Sequence, residues 1–479
     1  MKKGIIITYV LVFGAIFLFF LSGLLGFILL QLRETNQKVS WNESFEIAEA
    51  GINYYRWCLN NEVESQCQLE KEYRDTAGNS IGKFSLQIAS TTNCELTTSK
   101  EITSTGWTYK FPDVKRVVRV FYNRESVAKY SYILNSNVWV GADHEIRGPY
   151  HSNGGIRMDG ENQSLVTSVQ TEWVCTDSFG CGPKGFPAKG KGLGQCPEQC
   201  RWDENKNCIC PGVFTTTENS NPDLFSFPIP PFDFTGITID LAQIKTLTQP
   251  YPQQYYWPPS KNLDSRGKGY HLKFINNGTF EVWIITGLSS TRAYSLEEDW
   301  HDDYFTITSE YRYQNPIPID PNCSLIFFED NLWPEGVIKG KVTVASANLI
   351  DANKDTDVIL QANLDYSVKD GSDGLTLIGE RNALIGPNSP NQMELRGIFV
   401  AQKGRFSRNH YPNNIREKLE ISGVIISNGR VGTQWISGSQ IVSGYLKRET
   451  YVDPYLIYNP PVFTPFLGTQ YKIVRWEEL

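Results

Sequence analysis

The sequence lacks most of what marks a conventional enzyme. No HExxH, GxSxG, GxxxxGKS, GxxxxGKT or GxGxxG context occurs in its 479 residues, which removes the motif-borne readings of zinc protease, serine hydrolase and nucleotide binder. Histidine is scarce, with five scattered residues: His144, His151, His271, His301 and His410. Basic residues fall short of acidic ones, 45 against 52, and no dense basic tract follows the N-terminus. No nucleic-acid partner is expected from that balance. A mean hydropathy of -0.33 excludes a multi-pass membrane protein. The 40% hydrophobic and 13% aromatic content is too high for a disordered chain.

Apolar residues are concentrated in one place. The 26 residues from Ile5 to Leu30 include no charged side chain. As a helix rising about 1.5 Å per residue, the run reaches roughly 39 Å, enough to cross a hydrocarbon core of about 30 Å with tilt. The rival is a cleaved secretory signal, whose apolar core is usually about 7 to 15 residues and ends in an A-x-A-like site. Neither condition is met. Lys2 and Lys3 precede the run and only Arg33 follows closely, so the N-terminus is expected in the cytoplasm and the rest outside. Without those three residues, 42 basic side chains stand against 52 acidic ones, and the exported part carries about -10.

Ten cysteines agree with an oxidising surroundings. Six of them, Cys175, Cys181, Cys196, Cys200, Cys208 and Cys210, lie in a stretch rich in Gly, Pro and Lys, where disulfides are the expected staple. The gaps of x5, x14, x3, x7 and x1 lack the paired knuckles of common zinc ribbons, and a metal site stands as the alternative. Their connectivity is open. Cys58 and Cys67 form a candidate local pair, which leaves Cys94 and Cys323.

Beyond the apolar run the chain has no proline, and only Gly51, until Asn61. Val39, Ile47, Ala50, Tyr54 and Trp57 recur at helical spacing, so the membrane helix should continue outward as an amphipathic rod of about 55 residues. From Gly82 to Tyr132 the period changes to two. GKFSLQI, TGWTYKF, VKRVVRVFYN and VAKYSYIL read as a small antiparallel sheet on the helix. The remaining two thirds differ again. Asn137 to Gly160, then GVIKGKVTVASANLIDA, DVILQANLDYS, LIGERNALIGP, MELRGIFVAQKGRFS, LEISGVIISNG and SQIVSGYL, are short apolar strands at irregular turns without helical patterns between them. They suggest a parallel β-helix or similar solenoid, with a jelly roll or sandwich as the alternative. The fold class is therefore mainly β with a long N-terminal transmembrane α-helix.

The short basic leader ending in Lys3-Gly4, the apolar run starting at Ile5, and Ala48-Glu49-Ala50-Gly51 on the emerging helix resemble the type IV pilin-like proteins. Within that group they resemble the PilX-type accessory pilins. ITSTG followed by VKRVVRVFY resembles the pilin-like sheet. HSNGGI (His151 to Ile156), FPIPPFDF (Phe227 to Phe234), GYHLKFINNGT (Gly269 to Thr279), EGVIKGKVTVAS (Glu335 to Ser346) and YVDPYLIYNPPVFTP (Tyr451 to Pro465) extend the resemblance over most of the chain. It implies a leader at 1–4, a transmembrane helix at 5–32, and a pilin-like helix and sheet at 33–135. A solenoid-like ectodomain follows at 136–170 and 226–445, interrupted by a Cys-rich insertion at 171–225 and followed by a C-terminal strap at 446–479. It also implies cleavage by prepilin peptidase between Gly4 and Ile5, with the membrane, other pilin subunits and pilus assembly proteins as partners. Tyr9 stands where most major pilins carry Glu, a residue that PilX-type accessory pilins often lack. Glu49 is a candidate to pair with a basic group on a neighbour, against the plain reading of a solvated helix face.

Four features carry candidate chemistry. His151 with Asn153, and His301 with Asp302 and Asp303, are the residue types from which β-helix polysaccharide enzymes assemble sites on separate coils; the plain reading is turn residues. Asp351, Asn353, Asp355 and Asp357 offer oxygens at alternate positions, as a calcium loop does. Thr356 replaces the required Gly, however, and Ala362 stands where the closing Glu belongs. Gln249 to Ser260, QPYPQQYYWPPS, reads either as a sugar- or partner-gripping surface or as a strap with its rings buried. No catalytic, cofactor-binding or metal residue is assigned, no cofactor is expected, and the chain is expected not to be an enzyme. The expected function is a pilus-associated, membrane-anchored minor pilin with a structural, assembly or adhesive role. The alternatives are a tethered β-helix carbohydrate-active enzyme and a glycan-binding adhesin.

Overall fold

With no proline to interrupt it, the N-terminal segment forms one helix, α1, from Lys3 to Asn60. The computed structural model describes residues 3–479 except 95, 183–194, 235–239, 352 and 439. Met1 and Lys2 of the leader, and 183–194 of the Cys-rich insertion, thus lie outside the described residues. The fold is mainly β with this one long N-terminal apolar helix. The chain divides into two compact units: residues 1–91, 99–123 and 469–479, and residues 92–98 and 124–468.

In the first unit the two halves of α1 have opposite surroundings. Residues from Tyr9 through Leu32 leave their apolar side chains exposed, and the helix is long and apolar enough to cross a membrane. Farther on, Ile47, Ala48, Ile52, Tyr55 and Leu59 are buried against Phe84, Leu86, Ile102, Val118, Val120 and Tyr122. Those partners lie on β2 (Ser80–Asn93), β3 (Leu96–Thr108) and β4 (Lys115–Ser126), and β1 (Glu70–Arg74) pairs antiparallel with β2. Of the stripe read from the spacing, Ile47 is buried, whereas Val39 and Trp57 are exposed; the buried face runs on through Ala48, Ile52, Tyr55 and Leu59. Gly106 explains the close approach there: a Cβ on it would sit 2.3 Å from the Ser44 carbonyl oxygen and 2.4 Å from Ala48 N. The sheet also gains a strand that the sequence had placed in the C-terminal strap. Phe466–Glu478 lies beside β4, where Leu479 N donates to Val117 O and Trp476 packs edge-on against Phe45. Cys58 and Cys67 are bonded at the end of α1.

The second unit is built from parallel ladders. One runs through Tyr256–Trp257, Leu325–Phe328, Lys341–Ser346, Gly374–Gly379, Gln392–Ala401, Ile415–Ser427, Tyr132–Leu134, Tyr150–Ser152, Val166–Ser168 and Phe225–Ser226. A second joins Tyr270–Ile275, Leu332–Ile338 and Leu364–Tyr366 to the first halves of Gln392–Ala401 and Ile415–Ser427. It then continues through Gln440–Tyr451, His144–Ile146 and Glu161–Asn162. A third carries Asp357–Leu360, Asn382–Ile385 and Phe406–Ser407. Strand order does not follow chain order. The chain enters midway at Tyr132, runs to Phe225–Ser226, and resumes at the far side with Tyr256–Trp257. It then works back until its last rung pairs with its first.

Period two explains why these strands read as almost continuous apolar runs. Phe328, Val344, Leu377, Phe399 and Ile425 point into one core, while their neighbours Phe327, Ala345, Ile378, Ile398, Val400, Val424 and Ile426 fill another. The second core is covered by the segment that returns the chain across the ladder, including Phe232 and, on the helix Leu241–Thr248, Leu241 and Ile244. The Cys-rich insertion closes on itself through Cys175–Cys181, Cys196–Cys208 and Cys200–Cys210. Cys94 and Cys323 pair across 229 residues.

Long strands serve two ladders by bending at glycine. Gly397 and Gly423 are register partners with φ of 146° and 138°, and a Cβ on Gly423 would lie 1.9 Å from Gly397 O. Gly423→Ala is therefore expected to lower unfolding free energy by about 2 kcal/mol or more. Gly432→Ala, where a Cβ meets nothing within 4 Å, should change it by less than about 0.5 kcal/mol. Denaturant midpoints of the two variants check this.

Candidate functional site

Polar constellations line the second ladder and the long hairpin, Thr279–Ser295 with Asp299–Arg312, that pairs with its strand Tyr270–Ile275. The first is a column of carboxylates. Because parallel strands stack like positions, Glu394, Glu420, Glu449, Glu145 and Glu161 fall opposite one another on five successive strands. Cations from flanking positions interleave with them. Lys418 Nζ lies 2.7 Å from Glu420 and 2.8 Å from Glu449, Lys447 also pairs with Glu449, and Arg147 lies 2.5 Å from Glu145. The Lys418 and Lys447 ammonium groups hold the Glu449 carboxyl at about 2.

Farther along the same ladder the pattern becomes a mixed cluster. His271 and Lys273 sit on alternate positions of one strand and share a face. His271 Nδ1 lies 2.7 Å from Glu310 Oε2, and its Nε2 lies 3.3 Å from Glu335 Oε1. Lys273 Nζ donates to Glu310 Oε1 at 3.2 Å and lies 4.3 Å from the Trp283 ring centre. Burial alone would lower the His271 pKa, but hydrogen bonds and charge from both glutamates outweigh it and raise the value.

The second constellation is at the hairpin tip. Asp303 is buried, accepting from Asn409 Nδ2 and the Tyr411 hydroxyl, both at 2.8 Å, and lying 3.2 Å from His301 Nε2. His301 Nδ1 donates to the Asp299 carbonyl at 2.9 Å. Tyr294 and His410 exchange backbone hydrogen bonds, and Trp300, Tyr294, His410 and Trp435 form a ring cluster. Farther down the hairpin, Trp333 Nε1 and Gln361 Nε2 both donate to the Phe305 carbonyl, and Asn388 Nδ2 donates to Thr306 Oγ1. The hairpin is thereby tied down along several rungs.

Of the residues singled out from sequence, His301 and Asp303 come together, whereas Asp302 turns outward to Arg292 at 3.6 Å. His151 does meet Asn153, at 3.0 Å, but it is buried with its other nitrogen 3.0 Å from Thr167 Oγ1. Burial lowers its pKa. His144 is equally enclosed, beside Tyr132 and Thr450. The calcium-loop carboxylates do not converge: Asp351 faces Lys354, Asp355 faces Lys403, and Asp357 takes the Arg381 guanidinium. In Gln249 to Ser260, Trp257 and Tyr255 are buried and Tyr251 is exposed, which makes most of it a strap. Glu49 is half-buried, with no ion pair among the described residues. The glutamate column and the His271 cluster were missed. The column's signal was present in the recurring Glu-Leu-Arg-Gly at 394–397, Glu-Ile-Ser-Gly at 420–423 and Glu-Ile-Arg-Gly at 145–148.

No family model matches the chain, and no curated protein matches it. Among solved structures it is similar to the competence-associated pilin ComZ from Thermus thermophilus, at 13% identity and a TM-score of 0.29, over 92% of this chain and 97% of that one. A likeness that weak fixes neither fold nor function.

The His271 cluster has a pH signature. With a folded value above the ordinary 6.5, His271 adds stability that is complete below pH 6.5 and lost as pH rises through the folded value. Glu310 and Glu335 have folded values below the ordinary 4.5, so theirs is complete above pH 4.5 and lost as pH falls through the folded values. His271→Gln is expected to destabilise most at about pH 5.5 and clearly less at about pH 9, as read from denaturation midpoints across pH.

Proposed function

We propose that the chain is a membrane-anchored accessory subunit of a type IV pilus, of the PilX type, with a structural, assembly or adhesive role. The observation that carries this reading is α1. Its first half presents apolar side chains outward over a bilayer's thickness, and its second half buries Ile47, Ala48, Ile52, Tyr55 and Leu59 on a small antiparallel sheet. A helix of that kind can exchange lipid contacts for contacts with other apolar helices, which is what an anchored subunit entering a fibre needs. Lys2 and Lys3 ahead of the run favour a cytoplasmic N-terminus, and five disulfides favour an oxidising exterior for the rest.

For the larger unit we propose a parallel β-helix, supported by three parallel ladders, two of which share strands bent at Gly397 and Gly423. Such a body gives a long, stiff, ion-pair-laced surface, suited to display at a distance from the membrane. No catalytic role is proposed. Asp303, the carboxylate that His301 approaches, is held by Asn409 and Tyr411, and the His271 carboxylates are held by His271 and Lys273.

Prepilin peptidase and other pilin subunits are the partners this reading requires. Mass spectrometry of the N-terminal peptide from the native host is expected to begin at Ile5, with the protein also present in sheared fibre fractions. An N-terminus beginning at intact Met1, with no protein among the fibres, would contradict it.

A further inference from the structure

We propose that the tip of the long hairpin is a binding site for a neutral glycan, with the Trp300 indole as the platform on which a sugar ring stacks. The proposal deepens the adhesive role and rests on it. Trp300 keeps 47% of its surface in solvent, although leaving so large an apolar ring exposed forfeits burial free energy. It is nevertheless held in place. The Tyr294 ring lies 5.4 Å away, His410 stands nearly perpendicular at 5.6 Å, and the Arg292 guanidinium lies 5.6 Å from the ring centre. Beneath the ring, the Tyr294–His410 backbone pair and the buried Asp303 pin the hairpin to the body. An exposed ring so fixed pays little ordering entropy when a ligand arrives.

The polar groups around the ring select the ligand. The tip is rich in acid, and three of its carboxylates face local partners: Asp302 faces Arg292 at 3.6 Å, Glu298 faces His301 at 3.3 Å, and Glu297 faces Arg405 at 3.1 Å. A cationic peptide would have to displace those partners, and an anionic polymer would meet the carboxylates directly. A neutral polyol can use both signs. Its hydroxyls donate to carboxylate oxygens and accept from guanidinium and imidazole N–H groups, while its apolar ring face covers the indole.

The test uses the full chain in detergent micelles, titrated with cellohexaose, maltohexaose, mannohexaose and chitohexaose, and separately with oligogalacturonate and hexalysine. Tryptophan fluorescence and calorimetry report binding. At least one neutral oligosaccharide is expected to bind, with Trp300→Ala weakening it by about tenfold or more and Trp300→Phe retaining most of the affinity. Tyr304→Ala, exposed on the same strand, should change it by less than about twofold. No binding of neutral sugars up to about 10 mM, binding indifferent to Trp300→Ala in a variant that unfolds at the parent temperature, or binding of hexalysine in their place would each overturn the proposal. None of these outcomes alters the N-terminal mass or fibre content, so the glycan site and the pilus reading fail separately.

Discussion

The larger unit depends on one long-range pairing, in which the last rungs of the ladders, Ile415–Ser427 and Gln440–Tyr451, hydrogen-bond to the first, Tyr132–Leu134 and His144–Ile146. Without it the rungs between Tyr132 and Ser226 would form a separate short stack with an open apolar end. Joining residues as far apart as Arg448 and Asp143, 305 positions, carries an entropic cost, though one that grows only logarithmically with length. Directional contacts offset it. Arg448 donates to Asp143 at 2.9 and 2.6 Å, and Tyr132, His144 and Thr450 share a buried hydrogen-bond triangle. Burial pushes the His144 imidazole well below its ordinary value, so the triangle is neutral and leaves no uncompensated charge inside.

Closure also dictates the surface. Parallel stacking places like residues about 4.8 Å apart, and two carboxylates at that distance repel by about 3 kcal/mol at an effective dielectric near 20. The glutamate column is tolerable only because Lys418, Lys447 and Arg147 interleave from neighbouring positions. That face is consequently a lattice in which ion pairs offset part of the carboxylate repulsion. The exposed indole of Trp300 lies elsewhere, at the hairpin tip, where the chain leaves the ladder and the stacking rule no longer governs which side chains meet.

What could be read from sequence follows the range of the forces involved. The apolar run of α1, the antiparallel strands as far as Ser126 and the Cys58–Cys67 pair depend on neighbours, and each was visible in local spacing; VAKYSYIL, read as part of that sheet, instead gives the parallel rung Tyr132–Leu134, whose partners are remote in sequence. Cys94 and Cys323 pair across 229 residues, and nothing local marks either as the other's partner. The entry of the ladder at its middle was equally hidden, because a strand such as Tyr-Ile-Leu at 132–134 looks the same at an end or at a centre. His301 and Asp303 were seen because they are near neighbours in sequence. Glu310 and Glu335 were not, because only strand register brings them to His271. The strand Phe466–Glu478 looked like a strap because its partner, β4, lies some 350 residues earlier in the chain.

Hydrogen exchange on the intact chain tests closure most directly. In Arg448→Met, which removes both hydrogen bonds to Asp143, amides of Tyr132–Leu134 and His144–Ile146 are expected to lose protection together with those of Gln440–Tyr451. Leu325–Phe328 and Lys341–Ser346, remote from the joint, should keep theirs. Retained protection at Tyr132–Leu134 and His144–Ile146, with loss confined to Gln440–Tyr451, would contradict the account.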